Sequence, residues 1–501
     1  MIKNEDIKDG ELQGNLKKIV KSSAIVFIGV IIAKILSYIY RIVIARSFSP
    51  EVYGLLSLAV IISGLFAVIA SLGLAEGSMR YLTLYVGKKD YEKARYVFKF
   101  TKNFIILSNL IWGILLFVFA DYISLNIFHN ENLILFLKLF SITLPFSSMI
   151  IIYISGLRAF EKVGWCSFIN NIFQNSMKLI LLILLILLGM NFESIAWSYL
   201  ATLFLSFILT YFVARNYIAN LFIKNRLNKK TRKNIFREVI SYSWPIMFLG
   251  SINLIFSWVD SFVIGYFKSV IEVGFYNIAF GVFTLFWIMP DLFMQLFFPL
   301  IIKENIRKNN KFIEEMSKQV AKWILMLNIP LFVIAVIFPG TIINVLFGSK
   351  YLEATNALVI LSIGGIFSSA ILSLGQNLLS MKGKSKVILL NIIIMSIFNL
   401  ILNIMLVPKY GIEGAAFSTC ITWIILTIVI LFEVKHYSSI IPLRKKMLNI
   451  IFASVISALF LLIIRKYIEV NLISLILVGI LFLLFYLCSL YLMRCFDRYD
   501  L

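Results

Sequence analysis

Long apolar runs separated by short polar breaks recur from one end of the chain to the other. A run of about 20 residues crosses a hydrocarbon core of roughly 30 Å as a helix, whereas a barrel strand needs only about 9–11. Inside lipid the backbone must satisfy its own hydrogen bonds, so runs of this length read as helices. The pattern predicts fourteen transmembrane helices, near residues 19–45, 52–75, 103–120, 133–157, 164–189, 194–214, 238–264, 273–299, 321–338, 355–381, 387–407, 412–434, 447–464 and 471–493. The expected fold class is an all-α polytopic membrane protein.

The basic residues then set the expected orientation. With the N-terminus inside, one set of alternate polar segments holds 37 of the 47 Lys and Arg residues and the other set holds 6. The remaining four, Lys34, Arg41, Lys138 and Lys178, fall within predicted spans. A missed or invented helix would scramble so one-sided a split, and an excess of Lys and Arg marks the cytoplasmic face. Both termini are expected in the cytoplasm, with the chain in the cell membrane.

Composition agrees, with 61% hydrophobic and 14% charged residues and a mean hydropathy of +0.95. The net charge of +22 reads as topology, spread over short loops with no soluble module behind them, and argues against a nucleic-acid partner. The densest cluster, KNRLNKKTRKNIFRE at 224–238, suits an inner loop facing anionic headgroups. Residues 1–18 mix acids and bases without a cleavage pattern, so the first run is expected to be a retained anchor. Cys166, Cys420, Cys488 and Cys495 have no CxxC spacing, and His129 and His436 sit in separate loops; neither disulfides nor a metal site are expected. The GKS at 383–385 lacks the leading glycine of a phosphate loop, Leu378 standing there, so ATP hydrolysis is not expected.

A repeat appears at an offset of 220 residues. It aligns Gly54 with Gly274, Ala59 with Ala279, VIA (43–45) with VIG (263–265), and Glu193, Ala196 and Ser198 with Glu413, Ala416 and Ser418. Duplication predicts two six-helix lobes related by a pseudo-twofold along the membrane normal, at 19–218 and 238–434. A basic cytoplasmic linker (219–237) joins them, residues 1–18 form a cytoplasmic tail, and helices thirteen and fourteen with a short tail (435–501) are an addition.

Ionisable residues inside spans carry the candidate chemistry. Lys34 and Arg41 lie two turns apart on one face of the first helix, with Ser37 and Tyr38 between them. Lys34 sits too deep to snorkel easily, while Arg41 could snorkel or pair with Asp260 to lock the lobes. By the repeat, Asp260 stands at the level of Tyr40 and Arg41. Asp291 and Gln295 lie one turn apart in the eighth span, as do Glu76 and Arg80 at the end of the second, where a solvated i,i+4 ion pair is expected. Lys138 reads as structural, as does Lys178 with Asn170, Asn171, Gln174 and Asn175 around it; Asn399 and Asn403 read as interhelical hydrogen bonders. Pro145, Pro245, Pro290, Pro299 and Pro330 fall where they could kink spans. For Lys34 the favoured reading is a water-filled, net cationic cavity that takes an anion.

The segment IVIARSFSPEVYGLLSLA (42–59) resembles the R-x-L-G-P-E-E-Y-G-x-Y opening of the Wzx-like polysaccharide-biosynthesis flippases of the multidrug/oligosaccharidyl-lipid/polysaccharide exporter superfamily. ASLGLAEGSMRYL (70–82) is similar to the next motif of that family, with Gly73, Leu74 and Arg80 matching and Ser71 where an acid is usual. The resemblance implies outward flipping of a polyprenyl-phosphate or pyrophosphate-linked oligosaccharide by alternating access, with glycosyltransferases or a polymerase as partners and no enzymatic activity. It implies a substrate-binding role for Lys34, Arg41 and Arg80. Glu76, Asp260 and Asp291 are the candidates for lobe pairing or for coupling to H+ or Na+, and no other cofactor is expected. The last two helices are implied in a groove for the lipid tail. A rival, a multidrug antiporter of the same superfamily, would place uncompensated acids in its lobes, but the first helix is basic. A membrane polymerase or ligase would need a large outer loop with catalytic groups, and the sequence offers none.

Overall fold

The computed structural model describes residues 27–223, 227–307, 309–465 and 472–496. The expected tail at 1–18, the start of the first run and the C-terminal residues 497–501 lie outside them. The described residues form helices α1 (Phe27–Ser47), α2 (Pro50–Ser71), α3 (Leu74–Gly87), α4 (Tyr91–Tyr122), α5 (Asn132–Ala159), α6 (Val163–Ser167), α7 (Gln174–Leu187), α8 (Glu193–Tyr217) and α9 (Lys229–Phe267). They continue with α10 (Val270–Phe283), α11 (Ile288–Ile306), α12 (Asn310–Ile337), α13 (Pro339–Phe347), α14 (Thr355–Ser369), α15 (Leu372–Met381), α16 (Ser385–Ser438), α17 (Lys446–Arg465) and α18 (Leu472–Leu492). Among the described residues, eleven helices are long and apolar enough to cross a membrane.

Several apolar runs are subdivided where the sequence reads as one helix. The second run breaks at Leu72 and Gly73, both in the left-handed region (φ 47° and 65°), and Gly73 is indispensable there because a Cβ would lie 2.3 Å from the Ser243 carbonyl oxygen. The fifth passes through a π-helix, Phe168–Phe173, and the eighth through a 3-10 turn, Thr284–Trp287. Pro290 follows that turn at the start of α11, where its missing N–H costs nothing. The tenth breaks between α14 and α15. Conversely, the predicted eleventh and twelfth runs are joined as the 54-residue α16, whose interior breaks at Gly411 (φ 56°, ψ −135°). Pro145, Pro245 and Pro330 lie inside helices.

Caps at polar breaks fix the helix starts. Asp90 accepts from the Lys93 backbone N–H (3.2 Å) to cap α4, and its bond to the Lys93 ammonium holds the carboxyl below the usual range. Ser269 accepts from the Glu272 N–H (3.2 Å) at α10, and Asn309 caps α12.

The described residues divide into two compact units, those within 1–48 and 58–254 and those within 49–57 and 255–501. In the first, a core built from Leu74, Phe98, Tyr153, Leu157 and Val239 holds α3, α4, α5 and the start of α9 together. In the second, Ile324, Leu378, Ile430, Ile450 and Phe482 bind α12, α15, α16, α17 and α18 into one core. The second unit also contains a reciprocal contact. A Cβ on Gly54 would stand 1.9 Å from the Val270 carbonyl oxygen, and one on Gly274 would stand 2.1 Å from that of Pro50. Pro50 and Val270 begin α2 and α10, so residues paired by the 220-residue offset meet their counterparts crosswise, as in an isologous interface.

Candidate functional site

Helix α1 is positioned by close approach to the π-helix of the fifth run: a Cβ on Gly29 would lie 2.5 Å from the Ser167 hydroxyl oxygen and 3.4 Å from the Asn171 amide. Asn171 donates to Ser167 (3.1 Å) and Asn175 to the Asn171 carbonyl (2.8 Å), so the asparagines satisfy the widened turn themselves. The outward face of α1 is apolar, with Ile28, Ile35 and Ile39 exposed. Lys34, Ser37, Tyr38 and Arg41 are half-buried on another face. Among the described residues neither Lys34 nor Arg41 forms a hydrogen bond or an ion pair. A cation at membrane depth with no acid beside it is costly, and a bound anion would offset that cost.

Lys178 joins them. Its ammonium lies over the ring of Tyr40 (4.6 Å to the centroid) and near that of Tyr199 (5.8 Å), and the Arg41 charge reaches it. Sequence reasoning read Lys178 as structural because its neighbours are asparagines, but those bond within their own helix. The signal in the sequence is a lysine in an apolar run, 164–189, that contains no acid. Lys138, in contrast, is ion-paired with Asp121 (2.9 Å) and is structural.

The expected ion pair between Glu76 and Arg80 does not form. Glu76 occupies the first turn of α3, where the helix dipole favours an acid, and the exposed Arg80 guanidinium lies over Tyr242 at 4.1 Å. Asp291 is likewise an exposed acid in the first turn of α11, a position created by the 3-10 turn before it.

Asp260 stands in a different environment, fully inside the second unit at 2% exposure. One carboxylate oxygen accepts from Tyr276 (2.5 Å) and Thr419 (2.5 Å), the other from the Asn403 amide (2.7 Å). Asn403 also donates to Asn399, whose amide reaches Thr419 and Thr422. The asparagines read from sequence as interhelical glue are thus the shell of one buried acid. The Asn403 amide oxygen is buried without a donor. Buried acceptors without donors are rare, whereas the Asp260 carboxylate itself is fully satisfied by three donors, two hydroxyls and an amide nitrogen. Tyr276 and Thr419 were missed in the sequence because each looks like an ordinary helix residue; only folding brings them to Asp260. Among the described residues no group of three or more His, Cys, Asp or Glu could hold a metal ion.

Comparison with known proteins adds a frame to this geometry. The family described as polysaccharide biosynthesis protein matches residues 19–303. An uncharacterised membrane protein of Methanocaldococcus jannaschii is 23% identical over 500 residues, covering 97% of each chain. A probable low-salt glycan biosynthesis flippase of Haloferax volcanii is 25% identical, covering 44% of this chain and 46% of its own length. A putative O-antigen transporter of Shigella flexneri is 23% identical, covering 75% of this chain and 88% of its own. Among solved structures, the lipid II flippase MurJ in an inward closed conformation superposes with a TM-score of 0.71 at 21% identity, over 93% of this chain and 98% of that one. An inward-facing multidrug resistance MATE family transporter superposes with a TM-score of 0.61 at 14% identity, over 81% and 94%. At such identity the structures speak to the fold alone.

Proposed function

We propose that this chain, which belongs to the polysaccharide biosynthesis protein family and is a Wzx-like flippase, moves a polyprenyl-phosphate or pyrophosphate-linked oligosaccharide from the inner to the outer leaflet of the cell membrane. The observation that carries the reading is the pair Lys34 and Arg41, half-buried on α1 without a hydrogen-bond or ion-pair partner among the described residues, with Lys178 beside Tyr40. A phosphate-bearing head crossing hydrocarbon unaided would lose its hydration at a cost of many kcal/mol. Fixed cations substitute for water around the phosphate, arginine by a two-pronged contact and lysine as a point charge, while the tail stays in lipid. Arg80, exposed midway along α3 in the same unit, is the proposed first contact for the head.

In this reading the chain crosses the membrane fourteen times with both ends in the cytoplasm, as two six-helix lobes and two further helices that work by alternating access. Support for the count comes from the break at Gly411, which separates two apolar stretches within α16, and from helices at the remaining predicted runs. Support for the duplication comes from the crosswise contact of Gly54 and Gly274. Asp260 is the proposed coupling site, with Asn399, Asn403 and Thr419 as the further oxygens that would hold Na+, or with Asp260 alone exchanging H+. Glu76 and Asp291 serve helix starts and are the weaker coupling candidates. Glycosyltransferases or a polymerase would supply and consume the lipid-linked sugar.

The test is reconstitution of the full chain in proteoliposomes with a polyprenyl-pyrophosphate oligosaccharide carrying a labelled sugar. Protein-dependent exposure of the sugar to a membrane-impermeant reagent is expected. Export of a cationic dye with no movement of lipid-linked sugar would replace this reading with the multidrug antiporter.

A further inference from the structure

The second unit carries an apolar groove that neither the cation site nor the Asp260 cage uses. Leu325, Ile329 and Phe332 of α12 form its floor, and its walls are Ile366 and Phe367 of α14 and Leu448 and Ile451 of α17; its volume is about 640 Å³. Helix α12 packs against both α14 and α17, and the groove lies between those two. The wall residues Phe367, Leu448 and Ile451 are exposed, as expected where lipid completes the packing.

One end of the groove is charged. Arg444 and Lys445 line it, at the start of α17. Arg444 bonds to Gln319 and lies 3.6 Å from Glu315, which fixes it at the rim. Lys445 is exposed and makes no hydrogen bond or ion pair among the described residues. The groove follows α17 from Arg444 to Ser454, about 15 Å at 1.5 Å per residue, which is about half of the hydrocarbon thickness. That length matches one leaflet of the hydrocarbon core.

We propose that this groove binds an anionic glycerophospholipid of the bilayer, with its phosphate at Lys445 and Arg444 and one acyl chain along Leu325, Ile329, Phe367 and Ile451. The charge selects the head and the half-bilayer length selects the tail. The groove implied for the transported lipid's tail involves both of the last two helices, whereas this groove, among the described residues, takes no lining residue from α18.

The experiment is native mass spectrometry of the full chain titrated with phosphatidylglycerol, phosphatidylcholine or a polyprenyl phosphate, on wild type, Lys445→Gln and Ile451→Trp. Phosphatidylglycerol is expected to bind more tightly than phosphatidylcholine. Lys445→Gln should weaken phosphatidylglycerol about fivefold, equivalent to about 1 kcal/mol per basic residue at an anionic lipid surface, and leave phosphatidylcholine unchanged. Ile451→Trp should reduce retention of either phospholipid by filling the groove. Lys445 is exposed, so its variant tests the proposal even if the tryptophan variant fails to fold. Equal retention of both phospholipids, no effect of Lys445→Gln, or displacement of phosphatidylglycerol by stoichiometric polyprenyl phosphate would each overturn it.

Discussion

Replacing Gly54 or Gly274 by alanine probes a contact in which residues paired by the 220-residue offset meet their own counterparts. Each new methyl group would point at a backbone carbonyl oxygen, at 1.9 Å for Gly54 and 2.1 Å for Gly274, where ordinary contact begins at 3.4 Å. No side-chain rotamer can relieve a clash with backbone, so α2 and α10 must separate by well over 1 Å. Overpacking of this kind costs about 1–3 kcal/mol, and a backbone obstacle places it near the upper end. Alanine regains about 1 kcal/mol of helix propensity, leaving a net loss of about 2 kcal/mol for either variant. Because both methyls force apart the same two helices, the double variant should cost much less than the sum, a coupling that double-mutant analysis measures directly. The assay is unfolding by denaturing-detergent titration in mixed micelles. The control is Gly250→Ala, where a Cβ meets nothing within 4 Å and the helix should be unchanged or slightly stabilised. Single variants as stable as wild type, or fully additive losses, would refute the reciprocal contact.

Three further expectations concern ionisable residues of the helices. Asp260→Asn keeps the size of the side chain, and the Tyr276 and Thr419 hydroxyls can turn to accept from the new amide, so the protein should fold and stay near its wild-type unfolding midpoint, while transport loses its dependence on an imposed Na+ or H+ gradient; retained gradient dependence would move coupling elsewhere. Lys178→Met keeps the aliphatic stem against Tyr40 and should slow lipid-linked sugar translocation about tenfold or more, the worth of one charge-assisted hydrogen bond of about 1.5–3 kcal/mol, with unfolding little changed. Asp121→Asn breaks the exposed pair with Lys138 and should leave translocation unchanged, with at most about 1 kcal/mol lost in unfolding.

Helix positions were legible because lipid imposes a length on each apolar run, and the basic loops gave an independent reading of the same breaks. The subdivisions were not. Gly73 reads as an ordinary glycine in a run of small residues until the Ser243 carbonyl is brought beside it, and the 3-10 turn before Pro290 leaves no turn-residue signature in GVFTLFWIMP. Lys34 and Arg41 were visible as candidates from depth and spacing alone. The company of Lys178, the loss of the Glu76 and Arg80 pair to Tyr242, and the assembly of Asn399, Asn403, Tyr276 and Thr419 around Asp260 depend on contacts between helices distant in sequence, which period and hydropathy do not encode.

The central claim is that the cations of α1 hold the phosphate of the transported lipid. Its most direct test is the rate at which a labelled polyprenyl-pyrophosphate sugar becomes accessible across proteoliposomes containing wild type, Lys34→Ala or Arg41→Ala at matched protein amount and unfolding midpoint. The account predicts at least a tenfold loss in either variant, the worth of one charge-assisted contact of about 1.5 kcal/mol or more. Wild-type rates in both variants would contradict it and make the cations of α1 structural.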